Sequence, residues 1–253
     1  MTALETLYEI AESTPIKFTA LGFTEESYKK AMKIAKTQSS GHNEITKICH
    51  TACMIFTTQM FSVGKHDSES SKFIEKAVSF SQEIIPLVLN HIESSPKREH
   101  CFSLLYDLEK FMKIVGPDLI VTSKTLIKSI LETTFKCLSV KCLSQISSVD
   151  EDSDENNRDD LVEENESLIA EYSCNILKNI YNYIDFEYKK SIWLEVYPVL
   201  KDRLLNESHL YCHSLIVDLL RELLGGENFG FREFVWESFG EGEKGFMERI
   251  ECL

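Results

Sequence analysis

The chain has 253 residues, with 27 Lys and Arg against 41 Asp and Glu, and a formal charge of −14. Apolar residues make up 43 %, an ordinary globular share, so a sizeable core is available. The acidic balance argues against a strong non-specific nucleic-acid binder, which needs clustered Lys and Arg against phosphates, and no run of about 18 apolar residues offers a membrane span.

The first residues, MTALETLYEIAEST, carry three Glu and no basic n-region, so no secretion signal is expected. The eight Cys are scattered without a CxxC, which fits reduced thiols in a cytoplasmic or nuclear protein. A short helix is predicted before TPIKF (14–18), then helices over 24–36 and 43–61. In the second of these, Ile45, Ile48, Cys49, Ala52, Cys53, Phe56 and Met60 share one side. VGKHDSESS (63–71) reads as a turn. A helix over 72–93 contains Pro86, and another over 98–115 is expected to stop at GPD (116–118). Residues 119–146 are again helical, with Ile127, Ile130, Leu131, Phe135 and Leu138 clustered.

An acidic run, VDEDSDENNRDDLVEENE (149–166), comes next and carries −9 of the total charge. Its carboxylates include Asp150, Glu151, Asp152, Asp154, Glu155, Asp159, Asp160, Glu163 and Glu164. Mutual repulsion and scarce apolar residues predict a disordered loop over 147–165. Helices follow over 166–184, 187–204 and 208–224, the last stopped by Gly225 and Gly226. The tail reads as one helix and a less ordered end.

The helices pair with a period of about 40–45 residues, that of HEAT-type repeats. The expected fold is an all-α helical-repeat solenoid of about five to six pairs over residues 1–253. The acidic run is then an insertion inside one repeat, where solenoids tolerate loops. It reads either as a solvated loop or as a recognition element for a basic partner.

The order of segments is informative. CFSLLYDLEKFMKIVGPDL (101–119) is followed by a further helix, the acidic run, and a segment with Tyr188, Trp193, Pro198 and Leu200; then comes LYCHSLIVDLLRELLGG. Residues 68–226 in this order resemble the karyopherin-β (importin-β-like) nuclear transport receptors, nearest the importin-five type. The resemblance implies HEAT repeats that bind basic cargo proteins through nuclear localisation signals on a concave face. It also implies nucleoporins and the GTPase Ran as partners, with Ran-GTP held chiefly by N-terminal repeats that have no counterpart in this chain.

On that picture helix 166–184 buries Leu168, Ile169, Tyr172, Ile176, Ile180 and Ile184. Its opposite side carries Glu171, Asn175, Lys178 and Asn182 as one polar stripe. Asp107 is expected on the polar flank of one neighbouring helix and Asp218, with Arg221 beside it, on another. Such groups could hydrogen-bond an extended peptide and its Lys side chains; the plainer reading is a solvated helix face. His209 and His213 have zinc-compatible spacing, but no second ligand cluster accompanies them. Cys49 and Cys53 read as small core residues. No nucleophile elbow, P-loop or dinucleotide fingerprint occurs, so neither an enzyme nor a cofactor is expected. The alternative to a nuclear import receptor-like binder is a structural or regulatory scaffold that binds a larger assembly such as a ribosome.

Overall fold

The computed structural model describes residues 25–37, 44–66, 71–95, 98–139, 155–205, 210–225 and 229–251. These form ten helices and no strand: α1 Glu25–Thr37, α2 Glu44–His66, α3 Ser71–Ser94, α4 Arg98–Thr122, α5 Lys124–Leu138, α6 Glu155–Tyr181, α7 Phe186–Leu205, α8 Leu210–Leu224, α9 Phe229–Ser238 and α10 Glu241–Glu251. The fold is all-α, as periodicity predicts. No described helix is long and apolar enough to cross a membrane. The chain divides into two compact units, Met1–Thr133 and Thr134–Leu253.

In the first unit α2 is the central helix, packed by α1, α3 and α4. Every residue from Cys53 to Phe61 is buried. A helix covered on several sides has no polar face to give to water, so a hydroxyl there bonds internally where it can: Thr57 Oγ1 donates to Cys53 O (2.8 Å), whereas Thr58 Oγ1 is buried without a hydrogen-bond partner among the described residues. Ile45 and Ile48, grouped with that core by spacing, are instead exposed near the start of α2. Three buried histidines join the helices. His50 Nδ1 and His91 Nδ1 are 3.2 Å apart, so one ring donates and the other accepts. His100 Nε2 meets Glu44 Oε2 at 3.0 Å.

GPD does not end α4. Pro117 removes one backbone donor, yet the helix continues to Thr122 and breaks at Ser123. Gly116 lies in close contact rather than at a stop: a Cβ there would meet the Met112 methyl at 3.0 Å, so the end of that side chain would have to shift. Prolines 86 and 198 are likewise inside helices.

In the second unit α6 packs on α8, and α7 on both α8 and α9. Asp185 caps α7, its Oδ1 accepting the Tyr188 N–H at 2.8 Å. Helix α7 turns Ile192, Trp193, Val196, Tyr197, Leu200 and Arg203 inward. Trp193 has Ile192, Val196, Val199 and Leu200 around it in the sequence, a setting that predicts a core position, and it is 1 % exposed. It stacks on Tyr197 (centroids 5.2 Å apart) and meets the Phe231 ring edge-on (5.8 Å). Arg203 is fully buried. Its Nε donates to Leu138 O (2.6 Å) and its Nη2 to Cys137 O (3.3 Å), closing the last carbonyls of α5.

The acidic run departs from expectation. Helix α6 begins at Glu155, so residues 155–165 are helical rather than a disordered loop; residues 147–154 lie outside those described. Glu and Leu are good helix formers, and carboxylates in the first turns of a helix meet the positive end of its dipole. Those local terms, added to an amphipathic segment that is already helical, extend it backwards against the repulsion.

Candidate functional site

The acidic run and the polar stripe thus belong to one helix. Along α6, Ile169, Ser173, Cys174, Ile176, Leu177, Ile180 and Tyr181 are buried. That arc is wider than a single stripe because α8 lies against it. Leu168 and Tyr172, expected in the core, are only half-buried.

Glu171 and Asn175 are half-buried on the remaining face. Lys178 reaches across to Glu222 of α8 at 2.8 Å, so the stripe continues onto that helix. There Asp218, exposed, holds Arg221 at 3.4 Å. Asn182 stands one residue beyond α6 and is exposed; its backbone N–H donates to Lys178 O (3.2 Å). The Lys178–Glu222 pair therefore links the stripe of α6 to the helix that carries Asp218, and the sequence reading missed Glu222. Glu222 lies four residues after Asp218, on the same face of α8. Lys178 and Arg221 are each partnered by a carboxylate, whereas Glu171 makes no ion pair among the described residues.

Asp107 does not belong to such a face. It is 6 % exposed and its Oδ2 accepts from Thr51 Oγ1 at 2.5 Å. It lies three residues after Leu104 and four before Phe111, both fully buried, and so within the apolar stripe of α4 rather than beside it. Its role is to tie α4 to α2.

The His209/His213 pair cannot be assembled from the described residues, since His209 lies outside them. His213 Nε2 contacts Arg203 O at 3.0 Å. Among the described residues no group of three His, Cys, Asp or Glu could hold a metal ion. The thiols are core groups. Cys49 and Cys53 are buried, as read from spacing, and burial pushes both upward. Burial raises Cys174 to about 12 and also raises Cys212, against the opposing pull of Arg203. None of these four is a poised thiolate at neutral pH.

A cleft of about 490 Å³ opens in the second unit, where α9 and α10 return to α7. Its walls come from Trp193, Leu194, Tyr197, Pro198 and Phe239. Its rim carries the Lys201–Glu243 ion pair (3.1 Å) and Asp202. Lys201 holds the Glu243 carboxyl below its ordinary range. Burial, with help from Glu243, raises the Tyr197 phenol to about 12. Sequence spacing placed Trp193 in the core but gave no sign of the cleft, because its far wall arrives some forty residues later.

No family model, no curated protein and no solved structure matches the chain.

Proposed function

We propose that the chain is a helical-repeat protein-interaction module that takes a basic, extended segment of a partner protein. The observation that carries this is the continuity of α6. A run holding −9 of the charge leads, without a break after Glu155, into the helix bearing Glu171 and Asn175. Dispersed carboxylates raise the encounter rate with a cationic segment, and half-buried polar groups then hold it. The order of packing supports the repeat reading. Helix α2 meets both of the helices that follow it, and α7 meets both α8 and α9, as stacked helix pairs do. In its finer form the reading is a HEAT array of the nuclear import receptor kind, whose ligand is a basic localisation signal. The segment carrying Tyr188, Trp193, Pro198 and Leu200 supports that form.

Surface-plasmon kinetics with a Lys-rich peptide tests it. Changing five acids of 150–164 to Asn or Gln should slow association several-fold at low salt. The difference should shrink as the screening length falls towards about 3–8 Å. Changing Glu171 to Gln, Asn175 to Ala and Asp218 to Asn should instead speed dissociation. Unchanged rates in both variants would reject the reading.

A further inference from the structure

The cleft beside α7 is built unlike the stripe on α6. Its floor is aromatic: Trp193 and Tyr197 stack on one another, and Phe239 closes against Tyr197 with centroids 4.7 Å apart. Its lip is apolar and open. Leu194 is 61 % exposed, and Pro198, one turn on, is exposed too. Leu194 and Pro198 lie together at the cleft, and an apolar lip beside a pocket, unlike a singly exposed leucine, is surface for a partner to cover. The volume falls within the range of sites that take small ligands or a few side chains.

Charge selects the occupant. At the rim Lys201 is engaged by Glu243, so its charge is answered within the chain. Asp202 is exposed and makes no ion pair among the described residues. Glu195, one residue past Leu194, is exposed as well and lies seven residues, two helical turns, before Asp202. An apolar side chain entering between Leu194 and Phe239 thus arrives beside an unanswered carboxylate, on a molecule of charge −14. A second copy of the chain would bring more negative charge to an acidic rim. A phosphorylated or acidic segment meets the same repulsion.

We infer that the cleft is an anchor pocket for one aliphatic or aromatic side chain of a partner segment whose neighbouring residues are Lys or Arg, with Asp202 reading the cation. This rests on the interaction-module reading but uses a different face. There the stripe on α6 supplies hydrogen bonds to an extended chain; here a desolvated side chain supplies the affinity, as buried anchors do at interfaces.

Fluorescence anisotropy with three labelled peptides tests it on the full chain. One probe has a central Leu-Phe flanked by lysines, one has Ser-Ser in that place, and one has Leu-Phe flanked by glutamates. The first should bind at least about tenfold tighter than the others, the step that 1.4 kcal/mol represents. Leu194→Glu alters an exposed side chain and should lose that tenfold. Asp202→Lys should weaken the lysine-flanked probe and strengthen the glutamate-flanked one. Binding of the first two probes with equal strength overturns the pocket, as does indifference to Leu194→Glu, or no binding up to about 1 mM. Sedimentation closes the remaining alternative: a dimer that Leu194→Glu dissociates would show the cleft occupied by a second copy, and the inference would fall. If the acid-run and α6 variants weaken the probe while Leu194→Glu does not, the module reading survives and the pocket fails. The reverse pattern keeps the pocket and removes the stripe.

Discussion

The two units fill their interiors by different means. In the first, α2 is surrounded, and several of its polar residues are paired inside: Thr51 with Asp107, His50 with His91, Thr57 with its own backbone. In the second, α7 has one buried side and one wet side. Aromatic rings fill the buried side, and a fully buried cation, Arg203, closes the end of α5. A surrounded helix must satisfy its polar groups sideways, through partners on neighbouring helices, so its stability is spread over many directional contacts. A half-buried helix relies on area, which is concentrated in a few large rings. In the first arrangement the exposed large apolar residues of α2, Ile45 and Ile48, lie at its start, outside the surrounded stretch; the second leaves Leu194 in mid-helix beside a cleft.

The sharpest break in this comparison is Trp193→Ala. Removing a fully buried indole that touches Tyr197, Phe231 and Phe239 should destabilise the second unit by about 3–5 kcal/mol. Both tryptophans, Trp193 and Trp236, lie in that unit, so the fluorescence of Trp236 follows its unfolding in the variant. A denaturant midpoint equal to wild type would place the ring at the surface.

Next in size is Arg203→Met, which keeps much of the side-chain packing but removes the donors that close α5. Leaving buried carbonyls unpartnered at roughly 1–3 kcal/mol each, less the relief of a buried charge, should amount to about 2–3 kcal/mol. Arg203→Lys, with one compact cation, should recover only part of it. Full recovery by Lys would mean that charge, not the forked geometry, holds the helix end.

The corresponding break in the first unit is Thr51→Val, nearly equal in shape. It takes one hydrogen bond from the buried Asp107 carboxylate and should be worth about 1.5–2 kcal/mol. Loss of helical circular dichroism, in a region without tryptophan, reads it. No change would return Asp107 to solvent, and with it the expectation that the residue is a binding group.

Much of this contrast was legible in advance, and its limits are physical. Helix positions followed from apolar spacing, and Trp193 and Cys53 fell inside because they sit on that spacing. Arg203 was readable on the same ground: it extends the stripe of Val196 and Leu200 by one step of three. A charged residue on an apolar stripe announces either a partner or an error, and only the fold supplied the partner. Pro117 misled because a stop and a kink look alike in sequence; it costs α4 one bond and the helix goes on, whereas Pro86 and Pro198 lie inside helices as read. The acidic run misled because repulsion was weighed without the helix already waiting at its end. The links from Lys178 to Glu222, and from His50 to His91, join residues about forty positions apart. The cleft wall is similarly distant. Contacts of that separation depend on how helices stack, which no local period encodes.

The smallest effect separates the units by their tyrosines. Tyr28 in the first unit donates to Phe80 O (3.3 Å), and Tyr181 in the second to Lys189 O (3.2 Å). Either change to Phe should lose about 1 kcal/mol. Tyr197 differs, because its hydroxyl is buried with no hydrogen-bond partner among the described residues. Removing it leaves nothing unpaired, so Tyr197→Phe should alter stability at neutral pH by no more than about 0.5 kcal/mol. Alkali should expose the difference. Burial raises Tyr197 from 10.0 to about 12, with the Glu243 charge adding to the effect. Below pH 10 both folded and unfolded chains keep the proton, and the contribution is fully present. Between 10 and 12 the unfolded chain gives the proton up while the folded chain holds it. The unfolded state then binds fewer protons, so stability falls as pH rises through that window and levels above it. Tyr28 and Tyr181 are also held up by burial, so the wild-type curve alone does not isolate Tyr197. The difference between wild type and Tyr197→Phe does: wild type should lose stability faster across this window, and tyrosinate absorbance should lack one late step in the variant. Parallel curves would mean that water reaches the hydroxyl, and that the cleft is wetter at its floor than its aromatic walls imply.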